Sequence, residues 1–354
     1  MISVNEMPAK YYEETENQNV MIRSRAPMRI SLGGGGTDVS PYFEQCGGIV
    51  INITIDKYAY ASLMPHDGER VNIKSLDYKK DLSFSIDEDV AYDGELDLVK
   101  AVIKVLKIRQ SFDLILRSDA PPGAGLGASS TLTTAMIGAF KHWQNLVLTD
   151  YELAELAYQI ERNEVNIKGG KQDQYASAFG GINYIEFFSD KTIVNPLRVK
   201  PEILNELEYR MILCYTGKSR FSSDIIKDQV KNLVEDKAQT RRALDETKLL
   251  AVDMKNALVL GKINEIGHLL DQGWKLKKRF SDKISSPQID ELYDSAKASG
   301  ALGGKLLGAG GGGHLLILCD QTRRYKVVEA LQKAGAEITP FAFVYNGLQT
   351  WEVK

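Results

Sequence analysis

Pro121-Pro122-Gly123-Ala124-Gly125-Leu126-Gly127-Ala128-Ser129-Ser130-Thr131-Leu132 is the stretch whose reading decides the fold. Glycines at 123, 125 and 127 let the main chain pass close to a ligand. The hydroxyl run behind them reads as the start of a helix, whose first N–H groups have no internal partners. Together they make a cradle for phosphate. The helix is supplied by Leu132, Met136, Ala139, Phe140 and Trp143, which recur at helical spacing. Two familiar phosphate loops fit less well. A Walker A loop ends in Gly-Lys-Ser/Thr, and no lysine is present. Gly123-x-Gly125-x-x-Ala128 formally fits the looser dinucleotide fingerprint, with Asp150 about 20 residues on. A dinucleotide turn, however, is tight and follows a buried strand. Here residues 112–119 alternate polar and apolar at both ends, as a half-solvated strand does, and six residues with two prolines lie between Arg117 and Ala124.

The chain of 354 residues is long enough for two domains, and 44% hydrophobic with 26% charged residues is the balance of a soluble globular protein. A net charge of −3 gives no electrostatic reason to expect nucleic acid or an anionic membrane as partner. Cys46, Cys214 and Cys319 are widely spaced and the four histidines lack ligand spacing, so neither a disulfide framework nor a zinc site is expected. Without a signal-like N-terminus or an apolar run of roughly 18 residues, the expected location is the cytoplasm.

Upstream of the cradle, residues 1–20 read as an arm. A strand over residues 22–32 then runs into Gly33-Gly34-Gly35-Gly36-Thr37-Asp38. These glycines make either a hairpin turn or a wall where a ligand lies on bare backbone, with Asp38 bonding a hydroxyl. Arg29, read alone, is a surface arginine. Strands are expected at 49–54, 58–64 and 71–76, an acidic loop at 87–97, and a core-facing helix over 98–108. Thr149-x-x-Glu152 is a capping box. In the helix it opens, ~100° per residue places Glu164 in the apolar face and Glu161 on its flank. A carboxylate aimed at a core needs a partner or a metal. Asp173, after the glycine break at 169–170, is either an N-cap or a functional group. A strand at 182–187 and a polar crossing to about 204 lead to a second domain. That domain opens with a strand at 209–215 and a basic, hydroxyl-rich loop at 216–223 that holds phosphate or is merely solvated. Helices at 222–260, 263–279 and 287–299 follow. A second glycine-dense loop, 303–313, suggests close approach to a ligand or to the first domain. Strands at 314–319 and 342–345 around a helix at 325–333 complete a β-α-β pattern.

With these segments assembled, the chain resembles the GHMP small-molecule kinases, the family of galactokinase and of homoserine, mevalonate and phosphomevalonate kinases, from Arg25 to the C-terminus. The carriers are Pro122–Ser130, with Ala128 in place of a usual serine, the loop 308–313, and the segment around Asp173. Galactokinases have Gly-Glu-His-Thr-Asp where this chain has Gly34-Gly35-Gly36-Thr37-Asp38, which removes two large side chains and opens room beside the sugar. That departure resembles the branch acting on heptose 7-phosphate, with fucokinase domains nearby. The resemblance implies an α+β, two-domain GHMP kinase fold. Residues 1–204 would form a ribosomal-protein-like α/β domain with a left-handed β-α-β unit, and residues 205–354 a ferredoxin-like domain. It implies ATP on Pro122, Gly123, Ala124, Gly125, Leu126, Gly127, Ala128, Ser129 and Ser130, and Mg²⁺ on Ser129, Ser130 and Glu161. Asp173 is then the catalytic aspartate and Arg29 the neutraliser of the moving phosphoryl group. Sugar contacts are expected from Gly34, Gly35, Gly36, Thr37, Asp38, Lys171, Gln172, Arg220, Gly311 and Gly312. The implied acceptor is the C1 hydroxyl of D-glycero-D-manno-heptose 7-phosphate. The rivals are a kinase of an unphosphorylated sugar and a non-catalytic sugar or nucleotide sensor. The expected partners are the sugar phosphate and ATP, without nucleic acid or membrane, and with a homodimer left open.

Overall fold

The computed structural model describes residues 20–88, 90–217, 222–235 and 238–353. The first half of the chain runs β1 (Met21–Gly33), α1 (Tyr42–Cys46), β2 (Gly48–Pro65), β3 (Arg70–Ser75), β4 (Lys80–Ser85), α2 (Asp97–Val105) and β5 (Phe112–Ser118). It continues through α3 (Ala128–Trp143), α4 (Asp150–Gln159), α5 (Gln172–Phe179), β6 (Ile182–Phe187) and β7 (Thr192–Pro196). The second half holds α6 (Pro201–Arg210), β8 (Met211–Tyr215), α7 (Ser222–Val234), α8 (Ala238–Val259), α9 (Ile263–Lys278) and α10 (Pro287–Ser299). It ends with β9 (Ala301–Leu306), β10 (His314–Cys319), α11 (Arg324–Lys333), β11 (Glu337–Ile338) and β12 (Gln349–Val353).

β2 is the spine of the first sheet. β1 runs antiparallel along one side of it; on the other side Gly48–Ile53 pair with β6 and Ala59–Pro65 with β5. The two strands expected at 49–54 and 58–64 are therefore one. The polar interval between them stays extended because Asp56 exchanges two hydrogen bonds with Ala342, each of 2.9 Å, and Ile55 bridges Phe343. β3 pairs parallel with β5, and every other strand pair is antiparallel. On one face α2, α3, α4 and α5 close a core around Phe112, Leu114, Ile137, Phe140 and Leu153. On the other, Met28, Ile30, Leu32, Ile51 and Ile53 pack with Leu250, Met254, Leu270, Leu307 and Leu316, so the two halves share a core.

The second sheet has the order β11-β8-β10-β9, all antiparallel, in a βαββαβ chain order, which is the ferredoxin-like arrangement. Its other side buries Trp274, Phe280, Leu292, Ile317 and Leu331. Several boundaries differ from the sequence reading. The crossing expected up to residue 204 contains β7 and the start of α6, whose Pro201 sits in the first helical turn where its missing N–H costs nothing. That helix runs to Arg210 and delays β8 to Met211. The helix expected over 222–260 is two helices. Residues 342–345 form no full strand, being joined to β2 by the Phe343 bridge and by hydrogen bonds of Ala342 and Val344, and the chain then returns to pair β12 with β1. The tail of the expected 205–354 unit thus belongs to the first sheet. Among the described residues no helix is long and apolar enough to cross a membrane.

Candidate active site

The cradle is a run of alternating left-handed turns: Gly123, Gly125 and Gly127 have φ of 77°, 84° and 81°, where a side chain is strained. Gly127 is the N-cap of α3 and no side chain caps it. Thr131 is the first residue to donate back, to Gly127 O at 2.9 Å, which leaves the N–H groups of Ala128, Ser129 and Ser130 outside the helical ladder. The terminal glycine loop lies under this turn. A Cβ at Gly308 would stand 2.7 Å from Gly125 Cα, and one at Gly313 2.6 Å from Ala124 O. His314 fixes Ala124 O twice, through its backbone N–H at 2.9 Å and through Nδ1 at 2.8 Å. Of the two approaches the sequence allowed this loop, the structure shows the one to the first domain. Gly311, expected to touch substrate, donates its N–H to Ile284 O at 2.8 Å; with its neighbour Gly312 it belongs to the brace beneath the cradle.

Arg29 and Asp173 meet at the edge of the cradle. Arg29 is only 3% exposed because it points from β1 under α5. Its Nε donates to Asp173 Oδ1 at 2.8 Å, Nη2 lies 2.6 Å from the same oxygen, and Nη1 donates to Gly125 O at 2.6 Å. Asp173 sits in the first turn of α5, not at its cap. A Cβ on Gly127 would lie 3.2 Å from Asp173 Oδ2, so the carboxylate rests against the last glycine of the cradle.

The glycines at 33–36 have separate reasons. Gly34, at φ 79°, would put a Cβ 1.8 Å from Ile49 O; Gly36, at φ 101°, would put one 2.9 Å from the Phe280 ring. Gly35 needs neither left-handed geometry nor a close approach. Its Cβ would meet only Ser31 Oγ at 3.5 Å and Gln172 Nε2 at 3.8 Å. Around that space the Ser31 hydroxyl and Gln172 Oε1 are buried without partners, as is the whole side-chain amide of Asn52, which faces Ser31 across the ladder. Buried polar atoms of this kind call for a hydrogen-bonding partner, water or ligand. Asp38, 1% exposed, accepts from Gly36 N at 3.1 Å and Gln172 N at 3.1 Å; burial and the nearby Asp173 raise its pKa.

Two expected sugar contacts are otherwise engaged. The Thr37 hydroxyl shares its one proton between the carbonyls of Gly34 and Ile49 and accepts from Ile49 N, so it holds the wall's shape. Lys171 turns its ammonium to Glu155 at 2.9 Å, among the rings of Phe43, Tyr158 and Tyr175. Arg220, with Lys218, lies outside the described residues.

Glu161 is 1% exposed, accepting from Ser130 Oγ at 2.8 Å, Gln174 Nε2 at 3.1 Å and Arg162 Nη1 at 3.0 Å. Burial raises its pKa against those three donors. Helical periodicity favours Glu164 for this place, and the reason it misleads is local. The helix widens over Ile160–Glu164, where Val165 N donates five residues back to Ile160 O at 3.0 Å, and that wide turn shifts the phase. Glu164 instead bonds the Tyr92 hydroxyl at 2.6 Å. Ser129 is exposed at the mouth of the cradle, whereas Ser130 is buried beneath it.

Two buried lysines near the cradle escaped the sequence reading. Lys277, on α9, donates to Leu306 O at 2.8 Å and Gly308 O at 2.5 Å, tying the helix to the brace; burial, with Lys305 and Arg29 nearby, holds its pKa well below the usual lysine range. Lys305 lies on β9, and burial and the neighbouring Arg29 push its pKa down to about 8 against the pull of Asp38. A single charge in the otherwise uncharged strand Ala301–Leu306 was the available signal. Lys277 was hidden in the basic run at 275–279.

A phosphate cradle, a carboxylate at its lip and a polar wall facing both suit group transfer between a polyphosphate and a polyol, and the comparisons with known proteins agree. Residues 97–181 match the GHMP kinases N terminal domain and residues 254–337 the GHMP kinases C terminal part. The chain is 37% identical over 338 residues to the D-glycero-alpha-D-manno-heptose 7-phosphate kinase of Campylobacter jejuni, covering 94% of this chain and 99% of that protein. The crystal structure of a D-glycero-D-manno-heptose 1-phosphate kinase from Bacteroides thetaiotaomicron superposes with a TM-score of 0.79 at 36% identity, over 94% of this chain and 99% of that one. Lactococcus lactis galactokinase shares the fold at 21% identity, with a TM-score of 0.77 over 93% of this chain and 95% of that one. By its full-length relatives well above 30% identity, together with the two matched segments, this chain belongs to the GHMP kinase family.

Proposed function

We propose that the protein is a Mg²⁺- and ATP-dependent kinase that phosphorylates the C1 hydroxyl of D-glycero-D-manno-heptose 7-phosphate, acting in the cytoplasm. The observation that carries this reading is the seat of Asp173, with Gly127 of the cradle on one side and the Asp38–Gln172 wall near the other. The Campylobacter jejuni and Bacteroides thetaiotaomicron relatives are named for heptoses that carry a phosphate, and Gly35 keeps the wall free of a side chain where the sugar would lie.

In this reading the free N–H groups at the start of α3 and the positive end of its dipole hold the nucleotide phosphates. Arg29 occupies Asp173 Oδ1, which leaves Oδ2 to accept the proton of the sugar hydroxyl. By bonding Gly125 O as well, the same guanidinium locks base and cradle into one unit, and phosphoryl transfer depends chiefly on such positioning. Ser31, Asn52 and Gln172 offer their unpaired atoms to the sugar hydroxyls. Ser130 and Glu161 present two hard oxygen donors 2.8 Å apart at the helix start, which suits Mg²⁺ held mainly by phosphates and water. When bound, that ion would neutralise phosphate charge.

An ATP-consumption assay over heptose 7-phosphate, free heptose, fucose, galactose and mannose tests the reading. The expected result is a kcat/KM for heptose 7-phosphate at least tenfold above every other sugar. A preference for free fucose would overturn the substrate assignment.

A further inference from the structure

Six lysine and arginine side chains are buried in the described structure: Arg29, Lys100, Lys171, Arg210, Lys277 and Lys305. Five have acceptors. Arg29 has Asp173 and Gly125 O, Lys100 has Asp93, Lys171 has Glu155, Arg210 has Cys319 O and Asn264, and Lys277 has two carbonyls. Lys305 has neither a hydrogen bond nor an ion pair among the described residues, although it is only 6% exposed. Its Nζ is not among the fully buried polar atoms left without a partner, so a mostly buried side chain presents an unpaired ammonium to the solvent-accessible space of the site, where an anionic ligand can reach it.

Its position says which charge. Lys305 stands opposite Leu316 on the strand that leads into the brace beneath the cradle. Arg29, beside the base, repels it, and Asp38, on the sugar wall, attracts it. Lys277 is also close enough to feel its charge. The ammonium is therefore within electrostatic reach of Arg29 at the cradle and of Asp38 on the sugar wall. Arg29 has already matched its charge with Asp173 and Lys277 has two carbonyl acceptors, so the ammonium at this place with no acceptor of its own is that of Lys305.

We propose that Lys305 is a phosphate-binding residue of the site, its ammonium pairing with an anionic phosphate oxygen that arrives between cradle and wall. This rests on the kinase reading above and adds a residue to it. The phosphate has two sources, the transferring group of the nucleotide and the phosphate already on the sugar, and they separate experimentally.

The test compares the wild-type protein with Lys305→Met, which keeps the length and removes the charge, and Lys305→Arg, which keeps the charge. Circular dichroism establishes that each is folded. Calorimetric titration is made with ADP, a non-hydrolysable ATP analogue, heptose 7-phosphate and free heptose, alongside kcat and KM. A charge-assisted bond to phosphate implies at least a tenfold loss of affinity in Lys305→Met, with most of it restored in Lys305→Arg. Loss confined to the ATP analogue, with ADP unchanged, assigns the ammonium to the transferring group; loss confined to heptose 7-phosphate, with free heptose unchanged, assigns it to the sugar's phosphate. A folded Lys305→Met that binds all four ligands within twofold of wild type, with unchanged kcat and KM, overturns the proposal. Wild-type protein that turns over no phosphorylated sugar would refute the substrate reading instead, and the ATP-analogue and ADP titrations would still decide whether Lys305 binds phosphate.

Discussion

If Lys305 is kept for a ligand, removing its charge should make the empty protein more stable. Its pKa falls from 10.5 to about 8 on folding, driven by burial and by Arg29. At 1.36 kcal/mol per unit, keeping that ammonium protonated in the fold costs about 3 kcal/mol. The sign follows from proton counts. Between about pH 8 and 10.5 the unfolded chain holds a proton that the folded chain has lost, so stability rises with pH across that window. Below about pH 8 both states are protonated and the whole penalty is present. The charged groups facing Lys305 are Arg29 from β1, Lys277 from α9 and Asp38 from the wall, and Lys305→Met leaves all three in place. Denaturant unfolding of the ligand-free proteins should then find Lys305→Met more stable than wild type at pH 7, by up to about 3 kcal/mol. The gap should narrow as the pH is raised from 8 towards 10.5. A variant that is less stable than wild type by the same amount at every pH would refute the reasoning, because it would mean the ammonium is satisfied inside the fold.

Other outcomes test other parts of the site. Asp173→Asn should lower kcat by about 10²- to 10⁴-fold while ATP-analogue affinity, measured by titration, stays within a few-fold. Gly34→Ala should destabilise the protein by at least about 2 kcal/mol, since its Cβ would strike Ile49 O at a left-handed φ, whereas Gly35→Leu should unfold at the wild-type denaturant midpoint and show a raised KM for the sugar alone. Glu161→Gln should raise the Mg²⁺ concentration needed for half-maximal rate by tenfold or more, and Glu164→Gln, which loses only a Tyr92 contact and a surface ion pair, should leave it unchanged.

Much of the fold was legible because local chemistry and global packing agree. The alternating strand before the cradle, the glycines at 123, 125 and 127, and the Thr149–Glu152 capping box each adopt the conformation their residue types favour. What the sequence concealed depended on long-range partners or on a broken period. Glu161 is buried because one wide turn displaces the helical phase, and a regular 3.6-residue count cannot contain that turn. The strand expected at 342–345 is only a bridge at Phe343, and β12, which no expectation covered, pairs with β1, since a short exposed strand carries no mark of the sheet it joins. Lys171 reads as a loop cation suited to a sugar contact. Its cage of Phe43, Tyr158 and Tyr175 comes from three separate elements that only folding brings together. The glycines of the terminal loop were legible as a close approach, while its direction, onto Ala124 and Gly125, required the packed structure.

The central claim, transfer of phosphoryl from ATP to C1 of a heptose already phosphorylated at C7, is tested most directly by phosphorus NMR of the reaction mixture. Heptose 7-phosphate and ATP should yield ADP and, in equal amount, a sugar with a second phosphorus resonance coupled to the anomeric proton. ATP left intact beside unchanged heptose 7-phosphate, under conditions where a free sugar is phosphorylated, would contradict it.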